Sequence, residues 1–314
     1  MTTAGTDIFR SITADEYAQL AASPATVFDS AAFIALNASK VSRVSYFAGH
    51  GLCIAAGLGD DGLWRAPFSA PFSMPTATGV CSPDFKAFAR DLHAAVEGRI
   101  RLILPPPIHR HVGLWTEALR TLPLACITDF SYHYPLSQAV DYMAHLRPSQ
   151  RRYLRKSMQV PYTFDSRTSL EEAYNFIAVQ HNKLNYHMAM SLKQVLDTAQ
   201  IIDVDVLSLR LEGCLMAAGY FFHVNDGIVQ MINWDDNVEY RHLRPMPSFV
   251  RHVMEHYASK NNVKILDLGP ASTDGVKNDG LVRFKLSIGA VETEKLTFLP
   301  HDCVPDTAHP QKNA

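Results

Sequence analysis

The 314-residue sequence predicts an α/β protein, α+β in the mixed direction of its sheets. It is read as two tandem units, each a mixed, largely antiparallel twisted sheet flanked by helices. Three observations predict this. Segments with period-two alternation and segments with helical periodicity follow one another along the chain. In the second half, antiparallel hairpins are followed by strand, helix and strand, the order of a sheet with both strand directions. The halves also repeat. Gly51-Leu52-Cys53-Ile54-Ala55-Ala56-Gly57 resembles Gly213-Cys214-Leu215-Met216-Ala217-Ala218-Gly219. Each follows an alternating strand and precedes an Asp-Gly turn (Asp61-Gly62, Asp226-Gly227) and an aromatic strand end, Trp64 or Trp234. The units are expected at 1–140, the more degenerate, and 141–300, with 301–314 as a disordered tail.

Thr13-Ala14-Asp15-Glu16 has the form of a capping box opening a short helix. Ser82-Pro83-Asp84 starts a second helix, with Phe85, Phe88, Ala89, Leu92 and Val96 on one face. Residues 99–107 alternate and then break at three prolines, as a strand leaving its sheet does. Residues 112–122 read as a helix and 124–136 as a strand. In the second half Ser149 is expected to cap a basic helix, followed by a short strand at Tyr162–Ser166. Ser169-Leu170-Glu171-Glu172 opens a helix running through Leu184. Residues 204–213, 214–224 and 227–234 form a meander, with turns at Glu212-Gly213 and Asn225-Asp226-Gly227. An amphipathic helix (248–260) then leads to a parallel strand (263–269).

Composition narrows the class. Hydrophobic content of 47% with 19% charged residues describes a globular protein with a sizeable core. Lys+Arg 29 against Asp+Glu 31 leaves a charge of −2, so no global basic field marks DNA as a partner. Five scattered cysteines without a Cys-x-x-Cys pair argue for a reducing compartment and against a zinc site. The N-terminal stretch lacks the form of a signal peptide, and no apolar run approaches membrane-spanning length. These features place the protein in the cytoplasm; a monomer or homodimer is expected. The histidines tempt a metal reading, but His181 and His187 are six apart, and no acidic cluster accompanies His109 and His111. No metal is expected.

The densest stretch is "GPASTDGVKNDGLVRFKLSIGA" (269–290). Its glycines are too spread for a phosphate loop. It reads as a strand end, a crossover loop and a final helix with apolar positions Leu281, Phe284 and Ile288. On that helix Arg283 and Lys285 are surface cations or site residues. Ser272 and Thr273 donate to a substrate oxygen or cap the helix.

In their order, four stretches resemble the tandem-domain branch of the GNAT acyltransferase fold that holds the FemABX aminoacyltransferases and the BioF2-like acetyltransferases. They are the basic helix 147–159, the hairpin 213–237, the helix–strand unit 240–272 and the closing segment just quoted. The resemblance covers 140–298 well and 1–140 more weakly, resting there on the repeat and on "APFSAPFS" (66–73). One departure stands out. Where acetyl-CoA-dependent members carry a glycine-rich loop whose N–H groups hold the CoA pyrophosphate, this chain reads "EYRHLRPMPSF", without glycine and with two prolines.

The resemblance implies an N-acyltransferase in which an amine attacks an acyl donor directly, with no covalent enzyme intermediate. The donor is a thioester, acyl-CoA or carrier protein; the alternatives are an aminoacyl-tRNA or a non-catalytic scaffold that keeps the fold. No tightly bound cofactor is implied, and the acceptor is a small-molecule or precursor amine. The strands 228–234 and 263–269 are expected to splay, placing Trp234, Asp235, Asp236 and Asn237 at the mouth. Asp235 or Asp236 orders the amine or acts as base, the other reading being a solvated turn. A lysine of the closing segment faces the substrate carbonyl or phosphate in the aminoacyl-transferring branch, and Lys285 takes that place. Arg152, Arg155 and Lys156 of the basic helix, with Tyr240 and Arg244, are assigned to the donor. Tyr186, His187 and His223 line the cleft or pack in the core.

Overall fold

Each half of the chain closes its sheet with a strand from elsewhere in the sequence. The computed structural model describes residues 7–305 apart from 226 and 261, so Asp226 of the expected turn and residues 306–314 of the expected tail lie outside the described residues. One unit comprises the chain to Phe130, Ser272–Val276 and the segment from Thr293; the other comprises Ser131–Ala271 and Lys277–Glu292. Within the 301–314 segment, His301–Cys303 forms a 3-10 turn.

In the first unit Leu52–Leu58 pairs antiparallel with Arg43–Gly49 and Trp64–Ala66. Trp64–Ala66 runs parallel to Ile100–Ile103. The helix between them, Phe85–Ala95, buries Phe85, Phe88, Ala89 and Leu92, and its two phenylalanines meet the fully buried Trp115 of Val112–Leu119. Burial of each such side chain contributes about 1.5–3 kcal/mol. Asp84 of the expected start caps that helix, accepting from the Lys86 and Ala87 N–H groups. The capping box at Thr13 and Glu16 forms with both hydrogen bonds. The sheet continues through a C-terminal strand, Val291–Leu299, where Thr297 and Phe298 face Ile103 and Leu102.

The second unit repeats the pattern. Cys214–Asn225 pairs antiparallel with Val204–Leu211 and Ile228–Asp236, and Ile228–Asp236 runs parallel to Ile265–Pro270 after the helix Pro245–Ala258. Ile265–Pro270 then pairs with Ser131–Pro135, the second half of the strand Ala125–Pro135. The repeated glycines have a steric reason. A Cβ on Gly57 would stand 2.7 Å from the Phe68 ring, and one on Gly219 would stand 3.0 Å from the Trp234 Cβ.

Three local expectations are corrected. The basic helix is Pro148–Ser157, begun by Arg147 with proline in its first turn; Ser149 lies inside it and caps nothing. The helix expected from 248 begins at Pro245, because proline's fixed φ suits the first turn, where its missing N–H has no intrahelical partner. The segment expected as one crossover loop holds a small hairpin, Ser272–Thr273 with Val276–Lys277, before the helix Asp279–Ser287. Among the described residues no helix is long and apolar enough to cross a membrane.

Candidate functional site

The parallel pairing in the second unit stops short. Registered pairs join Ile228 to Ile265, Val229 to Leu266 and Gln230 to Asp267, and none follows. Beyond that point Trp234, Asp235 and Asp236 remain paired on their other side with Gly219, Ala218 and Ala217, while Pro270 is paired with Ser131. The two strand ends part and leave backbone groups facing a gap. Asp267, 1% exposed, closes its root: it accepts from Gln230 Nε2 at 3.0 Å and from the Gly269 N–H at 2.8 Å.

Lys285 faces this gap's edge. It is 2% exposed, and its Nζ donates to the carbonyls of Leu268, Gly269 and Pro270 at 2.7, 2.8 and 2.8 Å. All three N–H donors of the ammonium are therefore used, on the carbonyls where the strand leaves its neighbour. The Tyr132 ring lies 5.5 Å from Nζ. Burial pushes the Lys285 pKa down to about 8, with Asp267 pulling the other way, so the group is charged at neutral pH. The helix was expected to bury Leu281, Phe284 and Ile288; instead Leu281 is exposed, Phe284 half-buried, and Lys285 joins Ile288 inside. The surface-cation reading thus fails for Lys285. It holds for Arg283, which is exposed and donates to the Asp279 carbonyl.

Trp234 is half-buried, its ring set edge-on to Phe249 and Phe284. Asp235 and Asp236 follow it, both buried. Arg241 bridges them, with Nε 2.8 Å from Asp236 Oδ1 and Nη2 3.4 Å from Asp235 Oδ1. Asp235 Oδ2 lies 3.7 Å from His181 Nε2, at the end of the helix Leu170–Lys183. Burial raises the proton affinity of both carboxyls. Burial also lowers the pKa of His181, against the pull of Asp235. Asn237 caps the following turn by accepting from Glu239 N–H, and Gln180 accepts from Val238 N–H, which fixes this corner. The solvated-turn reading does not describe Asp235 and Asp236. His181 and Arg241 were not anticipated here; their partners lie across the fold, and no local pattern announces them.

A second cluster forms where Pro148–Ser157 meets the residues before Pro245–Ala258. Ser157 Oγ donates to the Arg244 carbonyl at 2.6 Å, and the Tyr162 hydroxyl to the Leu243 carbonyl at 3.1 Å. Arg244 and Arg152 place their guanidinium carbons 4.2 and 5.5 Å from the Tyr153 ring centre. Arg155 and Lys156 are exposed on the same helix. Tyr240 is 39% exposed and stacks on His242.

The remaining candidates lie apart from these clusters or at their rim. His223 binds Asp205 at 2.8 Å, as does Lys260. It pairs with Val229, six residues along the strand from Asp235 and hence roughly 20 Å away; the cleft-lining reading is therefore corrected to a hydrogen-bonded structural role. Ser272 belongs to the first unit, donating to Asp129 at 2.6 Å and accepting from Phe130 N–H at 2.7 Å, and Thr273 is exposed beside it. Neither caps the final helix, whose cap is Asn278. Tyr186 is 59% exposed with its ring edge-on to His181, and His187 is exposed.

No protein-family profile and no curated protein matches the sequence. Among solved structures, FemX is similar at a TM-score of 0.65 and 10% identity, over 94% of this chain and 98% of its own. The chain has a FemX-like fold. The C-terminal domain (DUF2156) of a putative lysylphosphatidylglycerol synthetase from Agrobacterium fabrum is similar at TM-score 0.57 and 12% identity, over 80% of this chain and 81% of that one. L-PGS from Bacillus licheniformis is similar at TM-score 0.55 and 10% identity, over 85% and 86%. At these identities the likeness is one of fold. It bears out the FemABX-like resemblance and the tandem α/β class, and the FemX-like fold extends through residues 1–140, where the sequence signal was weaker.

Proposed function

We propose that the protein is an acyltransferase whose second unit joins an activated acyl group to an amine. The observation that carries this reading is the parting of the parallel strands after Gln230 and Asp267, with the buried carboxyl pair Asp235 and Asp236 at one strand end. A carbonyl lying in such a gap meets backbone donors that stabilise the developing oxyanion. Asp235 is the base: Asp236 is tied at 2.8 Å to Arg241, whereas Asp235 holds Arg241 more loosely, at 3.4 Å through Oδ1, and its Oδ2 lies 3.7 Å from His181. The acceptor ammonium gives a proton to Asp235, and the free amine attacks the carbonyl. The new C–N bond forms as the C–S or C–O bond to the donor breaks, and the departing thiolate or alkoxide is protonated in turn. Lys285 acts as a positioning residue that holds the far edge of the gap, since its three donors are already used.

The donor is an acyl thioester or an aminoacyl-tRNA; the likeness to FemX and to lysylphosphatidylglycerol synthetases favours the second. The test is incubation with acetyl-CoA or alanyl-tRNA and a pool of amines, read by mass spectrometry. Wild type should yield an acylated amine and Asp235→Asn should not. Absence of any product with either donor would favour a scaffold that keeps the fold without the chemistry.

A further inference from the structure

The first unit holds a pocket of its own, between the turn Val27–Asp29, the helix Ala31–Asn37 and the segment that follows Trp64–Ala66. Phe28 and Phe33 wall it, both buried, with their rings edge-on at 5.3 Å. Phe68 and Ala70 line it too and are half-buried, so the pocket reaches the surface on that side. Its interior is about 20 Å³, room for one group the size of water or ammonium.

Asp29 lines this interior and is 3% exposed. Thr26 Oγ1 and Ser73 Oγ donate to its carboxyl at 2.7 and 2.6 Å, and the Met74 N–H at 3.2 Å. These donors hold the ionised form, and burial raises the pKa only to about 6, so the group is charged at pH 7.5. All three donors are neutral, and among the described residues Asp29 forms no ion pair. The other polar groups nearby are engaged with one another. Lys40 Nζ donates to Ser69 Oγ at 2.5 Å, Ser69 Oγ to Asn37 Oδ1 at 2.8 Å, and Asn37 Nδ2 to the Phe33 carbonyl at 2.9 Å. A buried carboxylate without a counter-charge is costly, and the pocket gives a cation a place beside it.

Size and lining narrow the chemistry of that cation. One carboxylate among phenylalanines offers too few oxygens for a calcium or magnesium ion. Guanidinium and quaternary ammonium groups exceed the interior. A primary ammonium fits, donates to the carboxylate and is drawn to aromatic rings. An alkyl chain behind it has the apolar side chains of Phe33 and Phe68 to lie against on the way out.

Independently of the acyltransferase reading, we propose that Asp29, Phe28, Phe33 and Phe68 bind the ammonium end of an alkylamine in the first unit.

The test is equilibrium binding of n-butylammonium to the full chain at pH 7.5 by ligand-detected NMR, in wild type and in Asp235→Asn, whose second-unit carboxyl no longer competes. Both should bind it. In the Asp235→Asn chain, n-butanol and tetramethylammonium should bind about tenfold more weakly or not at all. Asp29→Asn, added to that chain, keeps the side chain's shape and should weaken butylammonium binding about tenfold or more. Ala70→Trp, a change on the half-buried side, should weaken it as well, and carries the test if Asp29→Asn fails to fold. A crystal soaked in butylammonium should place its nitrogen within hydrogen-bond distance of Asp29. No binding, equal binding of butanol, binding unchanged in either variant, or water alone beside Asp29 in the soaked crystal overturns the proposal. Asp235→Asn should abolish transfer yet keep this binding, so the two readings fail separately.

Discussion

Lys285 Nζ donates to the Gly269 carbonyl at 2.8 Å, with the carbonyls of Leu268 and Pro270 completing its shell. A buried ammonium thus ends a strand where the neighbouring strand departs. Lys285→Met keeps the length of the side chain and leaves three carbonyls without that donor. We expect a loss of about 3 kcal/mol or more in urea unfolding. A variant as stable as wild type would show that the carbonyls find other partners.

The two aspartates should separate in kinetics. Asp235→Asn is expected to lower kcat by about 10²–10³-fold, the range of a lost general base, with little change in melting temperature. Asp236→Asn weakens the 2.8 Å pair with Arg241 and should lower stability along with rate. Equal losses for the two variants would argue against Asp235 as the base.

Gly219 and Trp234 face each other across the hairpin. Gly219→Ala places a methyl 3.0 Å from the Trp234 Cβ, and overpacking of this kind costs about 1–3 kcal/mol. Trp234 emission should shift in the folded variant. An unchanged spectrum and stability would mean that the strands relax without strain.

The first unit should show its own pH dependence. Burial raises the Asp29 carboxyl to about 6, against the hydroxyls of Ser73 and Thr26 and the Met74 N–H that hold its ionised form. The folded state keeps a proton there that the unfolded chain, near the ordinary value of 3.8, has already lost. Stability from this group is therefore greatest below about pH 4 and falls as pH rises to about 6, by roughly 3 kcal/mol. Urea unfolding from pH 4 to 7 should show that fall in wild type and not in Asp29→Asn. Parallel curves would contradict it.

Much of this was legible locally. Thr13 and Glu16 form their capping box because both partners lie within one turn. The repeated strands carry Gly57 and Gly219 at matching places, and at each a Cβ would meet an aromatic residue. Residues whose partners are distant leave no such local signal. Lys285 looks like a surface cation beside Leu281 and Phe284, since the carbonyls that bury it lie 15 to 17 residues upstream. The strand Val291–Leu299 is not read from the sequence: it begins with charged residues at its exposed end, and its pairing partner Ile100–Ile103 lies far upstream. His181 meets Asp235 only after helix and sheet pack, and neither residue carries a spacing that reveals the pair.

Direct acyl transfer in the second unit requires that no acyl group rest on the protein. The most direct measurement is a single-turnover reaction with isotope-labelled alanyl-tRNA or acetyl-CoA and the amine pool, following intact protein and small molecules together by mass spectrometry. Label should pass to an amine with no labelled protein at any time, and that product should be lost in Asp235→Asn. Label appearing first on the protein, or product formation undiminished in Asp235→Asn, would contradict it.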